Sequence, residues 1–112
     1  MATPTAGAVI LIPFPFSDLT SSKLRPAVVI ASSGRNDWVL CQITSKAYSD
    51  PTAIEIKDTD FVSGALKQTS YARPGKLFTA NEKLIVSEVG LLRKDKFEQI
   101  VNEVIGLLKS SI

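Results

Sequence analysis

Apolar positions in this chain fall mostly in short runs, with one long helical stripe at the end. Ala8 to Ile12 is an unbroken apolar run that predicts a first strand. The Pro13-Phe14-Pro15-Phe16 segment ends it, because each Pro removes a ladder donor and locks its own φ. Ala27 to Ala31, rich in β-branched residues, predicts a second, central strand. Ser32-Ser33-Gly34-Arg35-Asn36-Asp37 reads as a turn, Trp38 to Ile43 as a third strand, and Tyr48-Ser49-Asp50-Pro51 as another turn. Ala53 to Ile56 alternates as a half-buried strand should. Ser70 to Arg73 and, beyond Pro74, Gly75 to Phe78 are two more short strands. Asn81-Glu82-Lys83 turns the chain again. From Lys94 to Leu108, the residues Phe97, Ile100, Val101, Val104, Ile105 and Leu108 recur at three- and four-residue steps, the period of a helix with one apolar face. Asp95 and Glu98 near its start and Lys109 at its end match the helix dipole.

These elements predict a mainly β fold with a C-terminal α-helix. The sheet is small and strongly bent, or closed into a barrel, and the helix covers an open edge or end, joined by Leu91 and Leu92. Residues 1–112 read as a single domain without repeats. At 112 residues the chain can bury roughly two-thirds of its unfolded surface. Its apolar fraction and moderate charge argue against disorder.

Composition narrows the chemistry mainly by what it lacks. There is no His. That removes Ser-His and Cys-His nucleophile pairs, His-based ribonuclease chemistry and nearly all transition-metal sites. No GxGxxG or Walker-type loop is present, so neither a nucleotide cofactor nor a metal is expected. The net charge of +2 neither demands nor opposes a nucleic-acid partner. The single Cys41, an N-terminus without a basic start and the absence of a bilayer-length apolar run lead us to expect a cytoplasmic protein without a membrane anchor.

Arg25 is the most informative polar residue. It stands directly before Pro26 at the mouth of an apolar strand, and a guanidinium is not buried without a partner. It is either a rim Arg paired with Asp18 or a C-terminal Glu, or a clamp whose planar fork holds a phosphate. The next apolar strand ends in Gln42-Ile43-Thr44-Ser45-Lys46, with two hydroxyls and an ammonium: ordinary strand-end residues, or donors gathered at one rim. If the second and third strands are antiparallel neighbours, hairpin geometry brings Arg25 and Thr44 together. Trp38 reads as core. Tyr71 with Arg73 and Lys76 reads either as one side of a single-strand groove or as a solvated face. Phe14 and Phe16 either anchor their loop inward or form an exposed patch.

The run PFPFSDLTSSKLRPAVVI followed by LCQITSK resembles the MazF/PemK family of bacterial toxins, the messenger-RNA interferases of type II toxin–antitoxin systems. The resemblance extends from the Gly7 strand to the terminal helix. It implies an SH3-like small β-barrel with a C-terminal helix, a homodimer, and metal-independent cleavage of single-stranded RNA. It implies catalytic roles for Arg25 and Thr44. The loop from Phe14 to Leu24 then borders the RNA groove, with Phe16, Ser17 and Lys23 as contacts; Ser45, Lys46, Arg73 and Lys76 complete the candidate RNA-binding set. A segment of a cognate antitoxin protein is expected to block the groove. Two features depart from the family. Gly7-Ala8 replaces the usual Gly-acid start, and Ser70 to Lys76 lacks the acid that some members pair with an Arg on that strand.

Without His, RNA can still be cut by turning its own 2′-hydroxyl onto the adjacent phosphate, leaving a 2′,3′-cyclic phosphate and a 5′-hydroxyl. The rival reading is a non-catalytic binding module of the same fold, such as a gyrase poison. That class uses a C-terminal tail near a Trp, whereas this chain ends Lys109-Ser110-Ser111-Ile112 and has its only Trp at position 38.

Overall fold

A computed structural model of the protein describes residues 3–14, 23–47 and 49–112. Among the described residues, seven strands form one antiparallel sheet: β1 (Ala8–Pro13), β2 (Leu24–Gly34), β3 (Asp37–Thr44), β4 (Ile54–Ile56), β5 (Phe61–Gly64), β6 (Ser70–Asn81) and β7 (Ser87–Leu92). The helix α1 (Lys94–Lys109) follows. Spatial order is β4-β6-β3-β2-β1-β7-β5, a half-barrel whose outer strands are β4 and β5. Among the described residues no helix is long and apolar enough to cross a membrane.

The continuous apolar character of β1 to β3 has a direct cause: both faces of these strands are covered. On one face Val9, Val28, Cys41, Ile43, Ala72 and Leu92 pack with Ile54, Ile56 and the helix residue Ile100. On the other, Ala8, Ile10, Ile12, Ala27, Val29 and Leu40 pack with Phe14 and Ile85. Trp38 packs against this second core, as its expected core role requires. Leu92 shares the first core with Ile100, while Leu91 faces the second. The helical stripe is real, but its cover ends at Val104. Ile100 and Val104 are buried, whereas Ile105 and Leu108 are exposed. Lys96 pins the first turn through the Glu55 carbonyl (3.1 Å) and the Asp60 carboxylate (3.7 Å).

Three differences from the sequence expectation have physical causes. The β2–β3 turn is shorter than the polar run suggests, because Ser32 to Gly34 stay in the strand. Arg35 and Asn36, at φ of 54° and 65°, make the tight two-residue reversal whose twist suits a hairpin. Two strands, β5 and β7, add to those the apolar pattern predicts; β5 is four residues long and mostly exposed, so it carries no alternation. Finally, Pro74 does not break the sixth strand. Between the Cys41–Leu77 and Ile43–Ala72 pairs, β6 advances five residues for two of β3. The extra residues bulge around Pro74, which is itself buried.

Candidate nucleic-acid interface

The Pro74 bulge pushes Arg73, Gly75 and Lys76 out of the ladder beside the start of β2. With Phe14, Arg25, Gln42, Leu77 and Phe78 they line a hollow of about 330 Å3. Phe14 and Phe78 meet edge to face, ring centres 4.9 Å apart at 72°. Arg25 lies over Phe14, its guanidinium carbon 5.9 Å from the centre of that ring, within range of a cation–π contact. Its Nε is buried and has no hydrogen-bond partner among the described residues. A buried, charged donor in that position, without a partner among the described residues, favours an anionic acceptor. Arg25, Arg73 and Lys76 line the hollow and no described carboxylate does.

Arg25 also borders a second hollow of about 450 Å3, with Ser45, Leu66, Lys67 and Gln68 among its lining. It therefore forms a ridge between two depressions, an arrangement that suits a chain passing over a single cation.

The hairpin register runs Ala27–Gln42, Val28–Cys41, Val29–Leu40. The ladder stops there, two residues short of both Arg25 and Thr44, so the two lie at the same end of the sheet, but Thr44 lines neither hollow. Thr44 is half-buried and pairs with Tyr71 on its other side. Its hydroxyl accepts from the Lys46 amide at 3.2 Å. Gln42, rather than Thr44, reaches the first hollow. Of the other candidates, Arg73 and Lys76 line that hollow and Ser45 lines the second. Lys23 and Lys46 are exposed and line neither. Tyr71 is half-buried and faces Glu55 of β4 in register, away from the groove role. Phe16 and Ser17, like Asp18 and Tyr48, lie outside the described residues.

Phe78 and Gln42 enter the site without any assignment from sequence, while Phe14, expected at the border of the groove, forms part of its floor. Gln42 had a signal: it is a polar residue inside an apolar strand. Asp50 had none. It reaches Arg73 across 23 positions, its Oδ2 accepting from Arg73 Nε at 3.0 Å. Arg73 thus has a carboxylate partner, which comes from the turn before β4 and not from its own strand. The Thr52 hydroxyl and amide, then Arg73, hold the Asp50 carboxyl below its usual value, so it is a weak proton acceptor.

Cys41 anchors the bulge from below, donating its thiol hydrogen to the Arg73 carbonyl at 3.2 Å. Burial pushes this thiol from 9.0 up to about 12, opposed in part by the Arg73 backbone. A raised folded value leaves stability intact below the unfolded value and erodes it as pH climbs from 9.0 toward 12. Thiol-specific reagents at about pH 8 are expected to leave Cys41 unmodified in the native protein and to label it once denatured. Rapid native labelling would contradict the burial.

The fold and this basic, aromatic-floored hollow define a small β half-barrel with an anion-receptive rim. The family model described as PemK-like, MazF-like toxin of type II toxin-antitoxin system matches residues 5–108, and the chain belongs to that family. Among solved structures it is similar to a MazE–MazF complex from Deinococcus radiodurans (17% identity, 97% of this chain and 98% of that one, TM-score 0.76). It is also similar to a mycobacterial endoribonuclease in complex with its cognate antitoxin (15%, 97% and 96%, 0.73). A third is the toxin MazF-mt6 of Mycobacterium tuberculosis (13%, 91% and 96%, 0.70). A search of curated proteins finds no match to the chain.

Proposed function

We propose that this toxin is an endoribonuclease that cleaves single-stranded RNA without a metal, through attack of the 2′-hydroxyl on the adjacent phosphate. The observation that carries the reading is Arg25: a buried Nε without a described partner, seated on Phe14, in a hollow flanked by Arg73 and Lys76. Nucleophile and target belong to one molecule, so holding the sugar and phosphate in line supplies much of the rate. The new bond joins the 2′-oxygen to phosphorus and the bond to the 5′-oxygen breaks, while the 2′-hydroxyl gives its proton to solvent and the departing 5′-oxygen takes one from solvent. Charge grows on the phosphoryl oxygens, where a preset guanidinium stabilises it. In this reading Arg25 holds that phosphate and donates toward the leaving oxygen. Thr44 bonds a non-bridging oxygen, Arg73 and Lys76 hold flanking phosphates, and Phe14 with Phe78 offers an apolar floor for a base.

The test is incubation of a mixed-sequence RNA with excess EDTA, followed by analysis of the ends. Cleavage leaving 2′,3′-cyclic phosphates and 5′-hydroxyls is expected. Intact RNA, or 5′-phosphate ends, would overturn the mechanism and favour the binding-module alternative.

The same reading includes a cytoplasmic setting, a homodimer and a cognate antitoxin. The exposed Leu24, Leu84 and Val86 support the dimer. They gather beside the end of β1, where Pro13 pairs with Leu24 and the Val86 amide donates to the Leu11 carbonyl. The cations Arg25 and Lys76 at the rim support an antitoxin that presents carboxylates to it.

A further inference from the structure

We propose that Asp50 is a positioning residue for the phosphate grip of Arg73, acting through the ion pair between them. The inference rests on the RNA-cleaving reading above and deepens it.

Asp50 is set by its own turn before it meets Arg73. Its amide donates to the Ala47 carbonyl at 3.0 Å, and its carbonyl accepts from the Ala53 amide at 3.2 Å. Its Oδ1 accepts from the amide and the hydroxyl of Thr52, at 2.9 and 2.7 Å. The remaining oxygen, Oδ2, takes Arg73 Nε at 3.0 Å. Both partners are largely shielded, the side chains being 12% and 21% exposed, so this pair is not a loose surface contact that water screens away. Ser49, at φ of 70°, supplies the backbone reversal that brings the carboxylate round.

The geometry places Arg73 as a wall between two depressions. On one side is the hollow that holds Arg25. On the other is a second one lined by Asp50 and Thr52. Asp50 does not line the Arg25 hollow, so it can hold Arg73 from behind without confronting a bound phosphate there. The division of labour follows. A long Arg side chain loses rotamer freedom when it grips an anion, and that loss weakens binding. Asp50 imposes the loss during folding. At the other end of the residue, Cys41 holds the Arg73 carbonyl. Backbone and side chain are thus restrained separately, on a bulge that pleated pairing leaves free.

The experiment uses the full chain and two probes: a mixed-sequence RNA, and the same strand with every 2′-hydroxyl methylated, which removes the nucleophile. Binding of the blocked strand is measured by fluorescence anisotropy for Asp50→Asn and Asp50→Ala, each in the native background and with Arg73→Ala. Asp50→Asn keeps an acceptor for Thr52, and thermal melting reports whether each variant is folded. We expect Asp50→Asn to weaken binding roughly tenfold in the native background and less than about twofold beside Arg73→Ala. On the cleavable strand KM should rise more than kcat falls, and Asp50→Glu should restore part of the loss. Equal losses in both backgrounds would mean that Asp50 only supports its turn, and no loss would mean that Arg73 needs no holder; either result overturns the proposal. If the native protein binds the blocked strand but leaves the cleavable one intact, the nuclease reading falls, and the binding comparison still decides the role of Asp50.

Discussion

Arg25→Ala is expected to lower RNA cleavage by about 100-fold or more while leaving the protein folded. Removal of one preset donor to a developing oxyanion raises a barrier by about 2.7–4 kcal/mol in enzymes that depend on one. Arg25 combines several reasons to sit at that level. Its Nε is withdrawn from water without a described partner, its guanidinium is seated on Phe14, and two further cations share its hollow. Folding should survive because the side chain is only half-buried and lies at the strand's mouth, beyond the fully buried Ala27, Val28 and Val29. Arg25→Lys should restore only part of the activity, since an ammonium cannot present the planar fork. Cleavage rates on a defined RNA, beside circular dichroism of each variant, measure this. Native-like cleavage by Arg25→Ala would remove the residue from the mechanism.

Gly64→Ala should have the largest effect on stability, a loss of about 3 kcal/mol. Two independent penalties meet there. The backbone φ is +74°, a region that L side chains rarely adopt. An added Cβ would also run into the Val89 carbonyl oxygen and stand 2.6 Å from the Gly90 Cα, both of them backbone that cannot rotate aside. Gly64 faces Gly90 in the β5–β7 register, so close approach of these strands depends on the pair. The variant must either strain β7, which also carries β1, or release β5, whose Phe61 packs on the first core. Urea denaturation reads the loss directly. Undiminished stability would show that β5 does not pair with β7 as described. Because Gly64 lines neither hollow beside Arg25, cleavage per folded molecule should change little.

The strand that carries Gly64 is invisible in the hydrophobic pattern. Phe61–Gly64 and Ser87–Leu92 are held by partners distant in sequence and by two glycines that permit close approach, and neither leaves a local period. The buried strands were legible because water exclusion imprints itself on composition. Val28, Val29, Leu40 and Ile43 are each 1% exposed or less, and such sites tolerate only apolar residues. The helix was legible for the same reason, through Ile100 and Val104. Its exposed Ile105 and Leu108 show that periodicity reports a face without reporting how far its cover extends.

The site divides along similar lines. Arg25 and the Ile-Thr-Ser strand end could be singled out from the chain because a cation or a cluster of hydroxyls at the edge of an apolar run is locally anomalous. Family resemblance then attached a chemistry to them. Folding alone decided that Pro74 would bulge rather than break β6, that Arg73 and Lys76 would thereby enter the hollow, and that Phe14 and Phe78 would floor it. It also chose Asp50 to hold Arg73. Strand content and helix position are written in the period of apolar residues, since burial acts on each side chain in turn. The groove is not written there, because it arises where segments tens of residues apart are brought side by side, and no local pattern records which distant carboxylate or ring will arrive.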